Sequence, residues 1–216
     1  MPAFRRALEL GASGIELDVH ATRDGIVVVH HDPVVQPLDA GSGPTEVAIA
    51  DVTWEELLRL RPPTSEGIPP LGDVLTLVGD RATVYVELKG AAIEEAVIAT
   101  IRAGHAHCAV HSFDHAAIER ASRIAPEIPR GLLFDSYTID PARAMRATGA
   151  RDVWPHWSLV DSRLVERVHE VGGRVIAWTV NDDADAAALL EIGVDAICTD
   201  DIRLVAAAPR AGAEPE

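Results

Sequence analysis

The chain has 216 residues, 48% of them hydrophobic, which is enough to bury the core of one domain of moderate size. Thirty-four acidic residues against nineteen basic ones give a formal net charge of -15, and no lysine- or arginine-rich run offsets it, so nucleic acid and anionic membrane surfaces are disfavoured as partners. No apolar run approaches the roughly 18 to 20 residues that span a bilayer, so we expect no stable insertion into a membrane.

Short apolar runs rich in valine and isoleucine alternate with segments of helical period along the chain. Residues 1–12 predict an amphipathic helix in which Phe4, Ala7 and Leu8 share one face. Seven core strands follow, predicted at 14–20, 83–89, 108–113, 131–135, 152–157, 174–180 and 196–200. These strands are almost continuously apolar, as expected where both faces of a parallel sheet are buried. The alternation therefore predicts a parallel β/α architecture.

The segments between the strands carry signals for helix ends. Gly104 closes an apolar repeat that starts near residue 91. Asp140 and Pro141 open another helix as a cap and a first-turn proline, and Gly149 ends it.

The segment between the first two predicted core strands breaks this rhythm. It is too long for an ordinary strand-to-helix link, so we predict an insertion at about residues 32–80, packed over one end of a barrel. Within it, Thr53 and Glu56 form a capping box that begins a short helix, and a second short helix is predicted around residues 74–78.

Seven strands leave a parallel barrel one strand short, because a closed barrel of this size needs eight. The helix at residues 1–12 also has no strand before it. We therefore predict a single α/β domain, residues 1–205, built as a (β/α)8 barrel whose first strand is missing. The alanine, proline and glutamate of residues 206–216 predict a disordered tail.

Four charged side chains fall on two of the predicted strands. Because side chains alternate along a strand, Glu16 and Asp18 share one face, and so do Glu87 and Lys89. Each pair lies near the carboxyl end of its strand, where parallel barrels assemble active sites. A single Glu-x-Asp pair more often forms an ordinary salt bridge, but three clustered carboxylates favour a hard divalent cation such as Mg²⁺ or Ca²⁺. Lys89 would neutralise one acid or face a phosphate.

Two of the nine histidines stand out. His30 and His31 end an apolar run at a strand-to-loop boundary, and alternation sends them to opposite faces. One of them can then face the acids, where an imidazole suits proton transfer near neutral pH. His111 is predicted either at the barrel mouth or in the core. Ordinary structural or surface positions are predicted for His105, His107, His115, His156 and His169.

Eight short blocks occur in order along the chain: GASGIELDVH, TRDG, VVHHDP, IPPL, VELK, HSFD, AWTVN and GVDAICTD. Each block alone is weakly specific. Their order and rough spacing, over residues 3–201, resemble those of the glycerophosphodiester phosphodiesterase family. The resemblance implies a TIM barrel of the PLC-like phosphodiesterase type with an inserted segment after the second strand. It also implies metal-dependent hydrolysis of glycerophosphodiesters to an alcohol and sn-glycerol 3-phosphate.

The resemblance also assigns roles by position. Glu16, Asp18 and Glu87 resemble the metal ligands, Mg²⁺ or Ca²⁺ being the expected ion, and Lys89 resembles a residue that contacts the phosphate. His31 matches the family's second catalytic histidine.

Two further positions are assigned in the same way. His30 occupies a place that is usually apolar in the family. Trp178 matches an aromatic residue at the barrel mouth, where it lies either against the glycerol moiety of the substrate or in core packing.

Two departures from the family pattern matter. The family's first strand ends in His-Arg-Gly, and this chain starts just after the place where it would lie, so hydrolysis by the chain as given is expected to be impaired. Loss of proton transfer by the missing histidine alone is expected to lower the rate by a factor on the order of 10² to 10⁴. A start codon placed too late is the hypothesis for this missing strand, and the DNA upstream of Met1 tests it. The loop after Pro33 also lacks the family's Arg-Thr-Thr run.

Two other functions stay open at this point. One is a catalytically degenerate barrel that binds a phosphorylated ligand without turnover. The other is a phosphodiesterase of lysophospholipids, against which the acidic composition argues. The expected partner is a small glycerophosphodiester. Cys108 and Cys198 lie far apart in apolar segments, which favours reduced thiols and a cytoplasmic setting, while a signal peptide upstream of Met1 and a homodimer are left open.

Overall fold

The computed structural model describes residues 1–38, 45–60, 67–136 and 140–207. Ten strands lie in these ranges: β1 (Gly14–Ala21), β2 (Val27–Val29), β3 (Val34–Val35), β4 (Val47–Ala48), β5 (Thr83–Leu88), β6 (Cys108–Ser112), β7 (Arg130–Phe134), β8 (Asp152–Pro155), β9 (Arg174–Ala177) and β10 (Ala196–Ile197).

Helices fill the connections between the strands. They are α1 (Pro2–Glu9), α2 (Trp54–Leu60), α3 (Leu71–Val78), α4 (Glu94–Ala103), α5 (His115–Ile124), α6 (Pro141–Thr148), α7 (Ser162–His169), α8 (Asp183–Glu191) and α9 (Ile202–Ala207), with short 3-10 turns at Ile49–Asp51 and Trp157–Leu159. In the described part of the chain, no helix has the length and apolar character needed to cross a membrane.

The main sheet has eight strands in the order β10-β9-β8-β7-β6-β5-β1-β2. Seven of them pair in parallel, namely β1, β5, β6, β7, β8, β9 and β10. Strand β2 pairs with β1 in the antiparallel direction and forms one edge of the sheet. The predicted seven core strands and the curled β/α barrel are therefore confirmed. Among the described residues no strand bridges β1 and β10, and residues of both strands line a cavity of about 430 Å³.

The insertion after β1 packs around a small core of its own. Val28, Val35, Ile49, Leu57 and Ile68 form this core, which joins the insertion to β2. Residues 39–44 and 61–66 of the insertion lie outside the described part of the chain.

The two helices predicted within the insertion are both present. The amide of Thr53 donates to Glu56 Oε2 at 2.8 Å, and the Glu56 amide donates back to Thr53 Oγ1 at 3.2 Å, which is the predicted capping box. The second short helix is α3, which begins at Leu71, three residues before its predicted start at residue 74.

The helix signals act as the sequence predicts. The Asp140 side chain accepts from the amide of Ala142 at the start of α6, and Gly149 ends that helix with a left-handed φ of 65°. Gly25 turns the chain from β1 to β2 with a φ of 83°. Residues 206 and 207 belong to α9, and the rest of the predicted tail, 208–216, lies outside the described residues.

Candidate active site

The alternation of side chains along β1 sends its acids toward the barrel interior. Ile15, Leu17 and Val19 are at most 4% exposed and join the main hydrophobic core. Glu16 and Asp18 therefore project from the opposite face of the strand. Burial of the three aliphatic side chains fixes this orientation, since a shift by one residue would place both carboxylates in the core.

The register of three neighbouring strands aligns the polar side chains. Asp18 on β1 pairs with Glu87 on β5, and Glu87 pairs with His111 on β6. In parallel strands, paired residues lie side by side and point to the same face of the sheet. The sheet thus sets two carboxylates and an imidazole in one row.

Lys89 is the cation of this group. Its Nζ lies 3.4 Å from Asp18 Oδ1 and 3.4 Å from Glu87 Oε1. Burial opposes the charged ammonium, but the Glu87 and Asp18 carboxylates raise the pKa of Lys89 overall. Lys89 is therefore a fixed positive charge.

The ionised form of Glu87 is destabilised despite this lysine. Its residue surface is 8% exposed, and burial raises its pKa to about 7. Lys89 and His111 counteract the rise, while Asp18 and Glu16 add to it. The site thus holds more buried negative charge than the lysine offsets, which is the condition that a bound cation relieves.

His111 on β6 contacts Glu16 on β1. Its side chain is 1% exposed, its Nε2 donates to Glu16 Oε1 at 3.3 Å, and its ring meets Trp154 edge to face at 4.5 Å. The buried Nδ1 has no hydrogen-bond partner among the described residues. One ring nitrogen of His111 thus bonds to Glu16, while the other is a buried polar atom whose hydrogen-bonding capacity is unused by the described residues.

The donor atoms fit a divalent cation. Atoms of Glu16, Glu87 and His111 lie within 4.8 Å of one another. The sequence instead predicts Glu16, Asp18 and Glu87, so the two sets share Glu16 and Glu87 and differ in the third member. Lys89 pairs equally with Asp18 and Glu87, so its ion pairs do not distinguish the two sets. Carboxylate oxygens with one imidazole suit a hard or borderline divalent ion.

His31 lies at the edge of this group, in the turn after β2. Its side chain is 72% exposed, and its Nδ1 donates to Asp32 Oδ1 at 2.7 Å. This hydrogen bond lowers the pKa of Asp32. With Nδ1 engaged, proton transfer by His31 falls to Nε2. His30 uses its backbone amide to continue the β1–β2 ladder, donating to Asp18 O at 3.0 Å.

Trp178 follows β9 and closes another side of the site. Its indole N–H donates to the Trp154 carbonyl at 2.8 Å, and its ring packs edge to face against Phe113 and His156. These contacts hold the indole in one orientation. Trp178 therefore packs against its neighbours and also lines the mouth, and its contact with the glycerol moiety stays a prediction.

All six sequence-predicted site residues line one cavity of about 250 Å³. Its walls are Glu16, Asp18, His31, Glu87, Lys89, His111, Phe113, Leu133, Trp154, Trp178, Thr179, Cys198 and Asp200.

Sequence reasoning assigned no role to Asp200, which exchanges two 2.9 Å hydrogen bonds with Asn181. The signal was present, because Asn181 and Asp200 end the AWTVN and GVDAICTD blocks.

Comparisons with known proteins show the family of this chain. A model of the glycerophosphoryl diester phosphodiesterase family matches residues 1–204. A glycerophosphodiester phosphodiesterase of Caldanaerobacter subterraneus subsp. tengcongensis is 33% identical over 92% of this chain and 86% of its own length. A glycerophosphodiester phosphodiesterase of Bacillus altitudinis is 30% identical over 93% of this chain and 87% of its own length.

Solved structures share the fold. Glycerophosphodiester phosphodiesterase of Thermotoga maritima superposes with a TM-score of 0.75 at 26% identity, covering 94% of this chain and 88% of that one. A phosphodiesterase of Oleispira antarctica, solved with the product sn-glycerol-3-phosphate, has a TM-score of 0.80 at 24% identity, covering 94% and 87%. This chain belongs to the glycerophosphoryl diester phosphodiesterase family.

Proposed function

We propose that the protein hydrolyses glycerophosphodiesters to an alcohol and sn-glycerol 3-phosphate with the help of a divalent metal ion. The observation that carries this proposal is the cavity in which Glu16, Asp18 and Glu87 face a single lysine, Lys89. Membership of the phosphodiesterase family supports the reaction class, and the relatives at 30% to 33% identity carry that activity in their names.

The residues that would hold the metal are Glu16 and Glu87, with Asp18 or His111 as the third ligand. We propose Mg²⁺ or Ca²⁺ because the donors are mainly carboxylate oxygens. When bound, such an ion supplies positive charge opposite the phosphoryl oxygens, where negative charge grows in the transition state. It would also stabilise the ionised form of Glu87, whose pKa burial raises.

The other roles fall to side chains around the cavity. Lys89, held between Asp18 and Glu87, would pair with a phosphate oxygen. His31 would move a proton at Nε2, since Asp32 orients its ring through Nδ1. Trp178 offers an indole face, fixed by its bond to Trp154, for the carbon side of the glycerol moiety.

A direct assay tests this function. The purified protein is incubated with glycerophosphocholine in the presence of Mg²⁺, Ca²⁺ or a chelator, and glycerol 3-phosphate is quantified. Metal-dependent release of choline and glycerol 3-phosphate is the expected result. Equilibrium metal binding without hydrolysis, also in a form extended upstream of Met1, would favour a barrel that only binds a phosphorylated ligand.

Two finer proposals concern substrate and compartment. We expect faster turnover of the water-soluble diester than of a micellar lysophospholipid, and the reverse order would point to the lysolipid activity. Cys108 and Cys198 are both free, and burial raises the pKa of their thiols to about 11 and about 12. Two unreactive free thiols support a reducing compartment such as the cytoplasm.

A further inference from the structure

His20 is a histidine of β1 that the roles above leave unused. It lies two residues after Asp18 and four after Glu16, so alternation places all three on one face of the strand. It is 6% exposed, and the charges that surround it include those of Lys89 and Asp18. His20 is therefore a buried polar side chain that lies beneath the loop containing His31.

The β1–β2 ladder stops just short of His31. Val19 pairs with Val29, and the amide of His30 donates to Asp18 O at 3.0 Å. His31 is the first residue past this ladder. Its carbonyl oxygen accepts a hydrogen bond of 3.2 Å from Nε2 of His20. A side chain of β1 thus anchors the backbone where the strand pairing ends.

The ring of His31 depends on this anchor more than a buried ring would. Its side chain is 72% exposed, and in the described part of the chain its ring bonds to the neighbouring Asp32. Because Asp32 moves together with His31, that bond orients the ring but does not fix its distance from Glu16 and Asp18. The backbone at residue 31 has to be held from elsewhere.

We propose that His20 is a positioning residue that holds His31 at working distance from the carboxylates by clamping its backbone carbonyl. The inference rests on the proposed function, which gives proton transfer to His31. A displacement of about 1 Å at a reacting group can lower turnover by roughly a hundredfold, so loss of the clamp acts on kcat and leaves KM almost unchanged.

Three variants test the clamp. His20→Leu removes the donor at similar volume. His20→Gln restores it, because the glutamine amide nitrogen reaches nearly as far along the side chain as the imidazole Nε2. His115→Leu is the matched control, since His115 makes the same kind of bond, from Nε2 to the Leu133 carbonyl at 2.9 Å, and is not itself among the residues that line the cavity.

The kinetic arm measures kcat and KM for glycerophosphocholine, with thermal unfolding to verify that each variant folds. His20→Leu should lower kcat roughly ten- to a hundredfold with KM within about twofold of the parent protein. His20→Gln should recover most of kcat, and His115→Leu should keep it. Parent-like turnover in His20→Leu, or no recovery in His20→Gln, would overturn the proposal.

The second arm is independent of activity. Amide hydrogen exchange over residues 29–35 should become faster in His20→Leu, return to the parent rate in His20→Gln and stay unchanged in His115→Leu. Equal exchange in all proteins would overturn the clamp. If no protein hydrolyses the diester, also in a form extended upstream of Met1, the proposed function fails, and this exchange pattern still decides the role of His20.

Discussion

The two ends of the barrel differ in how many cations pair with their buried carboxylates. At the amino end, Asp152 begins β8 with no exposed surface, and Arg151 and Arg174 each donate two hydrogen bonds to its carboxylate, at 2.7–3.1 Å. At the carboxyl end, Glu87 and Asp18 share Lys89 through two ion pairs of 3.4 Å. At the amino end one carboxylate is thus paired with two guanidinium groups, whereas at the carboxyl end two carboxylates share one ammonium group.

This difference separates an acid whose charge is offset by the fold from an acid that is a candidate metal ligand. The two guanidinium groups satisfy both carboxylate oxygens of Asp152. Hydrogen bonding to Asp152 is also the main reason why the pKa of Arg174 is raised. At the mouth, burial raises the pKa of Glu87 to about 7 and Nδ1 of His111 has no partner among the described residues. An acid whose charge is already offset stabilises the fold, while an acid left short of positive charge has capacity for a ligand.

The sharpest test removes one carboxylate charge at the mouth. Glu87→Gln removes a mouth carboxylate without changing its shape, and we expect it to abolish metal-dependent hydrolysis while leaving the free energy of unfolding the same or higher. Glu16→Gln should behave alike. Activity with and without chelator, metal titration and denaturant unfolding are the measurements. Full activity in either variant would contradict the metal assignment.

A second prediction concerns the exposed edge of the mouth. His31→Ala should lower turnover by on the order of 10² to 10⁴, the usual contribution of a positioned acid or base. His30→Ala is the control, because the ladder bond of His30 uses the backbone and survives the substitution. We expect a change of less than about threefold for it in the same steady-state assay. The opposite order would mean that the strand register is shifted by one residue.

The third prediction tests the amino end. Asp152→Asn leaves two guanidinium groups facing a neutral amide, and we expect a loss of on the order of 2–3 kcal/mol in the free energy of unfolding. The usual loss of about 3–5 kcal/mol applies to fully buried pairs, and both arginines retain more than a third of their surface. Denaturant unfolding measures the loss, and metal affinity should stay at the parent value.

Much of the mouth could be predicted from the sequence because it depends on local alternation. The face shared by Glu16 and Asp18 follows from a period of two along one strand, and burial of Leu17 and Val19 enforces it. The capping box at Thr53 is equally local, since its two partners lie three residues apart.

The remainder depends on contacts between distant segments. The place of His111 required the β5–β6 register, which packing sets, so the sequence left it between mouth and core. The clamp from His20 spans eleven residues and ends on a backbone carbonyl, which no pattern of side chains reveals. The last strand, β10, is two residues long against a predicted five, because β9 is its one partner among the described residues.

The smallest predicted effect is a pH dependence specific to the mouth. The pKa of Glu87 in the folded protein is about 7, above its ordinary value of 4.5, so folding favours its protonated form. The stability that this preference contributes is fully present below pH 4.5 and is lost as the pH rises through 7. At about 1.4 kcal/mol per unit of pKa difference, the metal-free protein should lose on the order of 2 kcal/mol between pH 5 and pH 8.

Glu87→Gln provides the control for this titration because it removes the group and keeps the shape. Denaturant unfolding of both proteins at several pH values without metal should give curves that diverge between pH 5 and pH 8, with the parent falling further. Saturating Mg²⁺ or Ca²⁺ should restore the parent at pH 8, since a cation that binds the folded state stabilises it. Parallel curves would show that Glu87 is not short of positive charge, and the contrast with Asp152 would then lie in geometry alone.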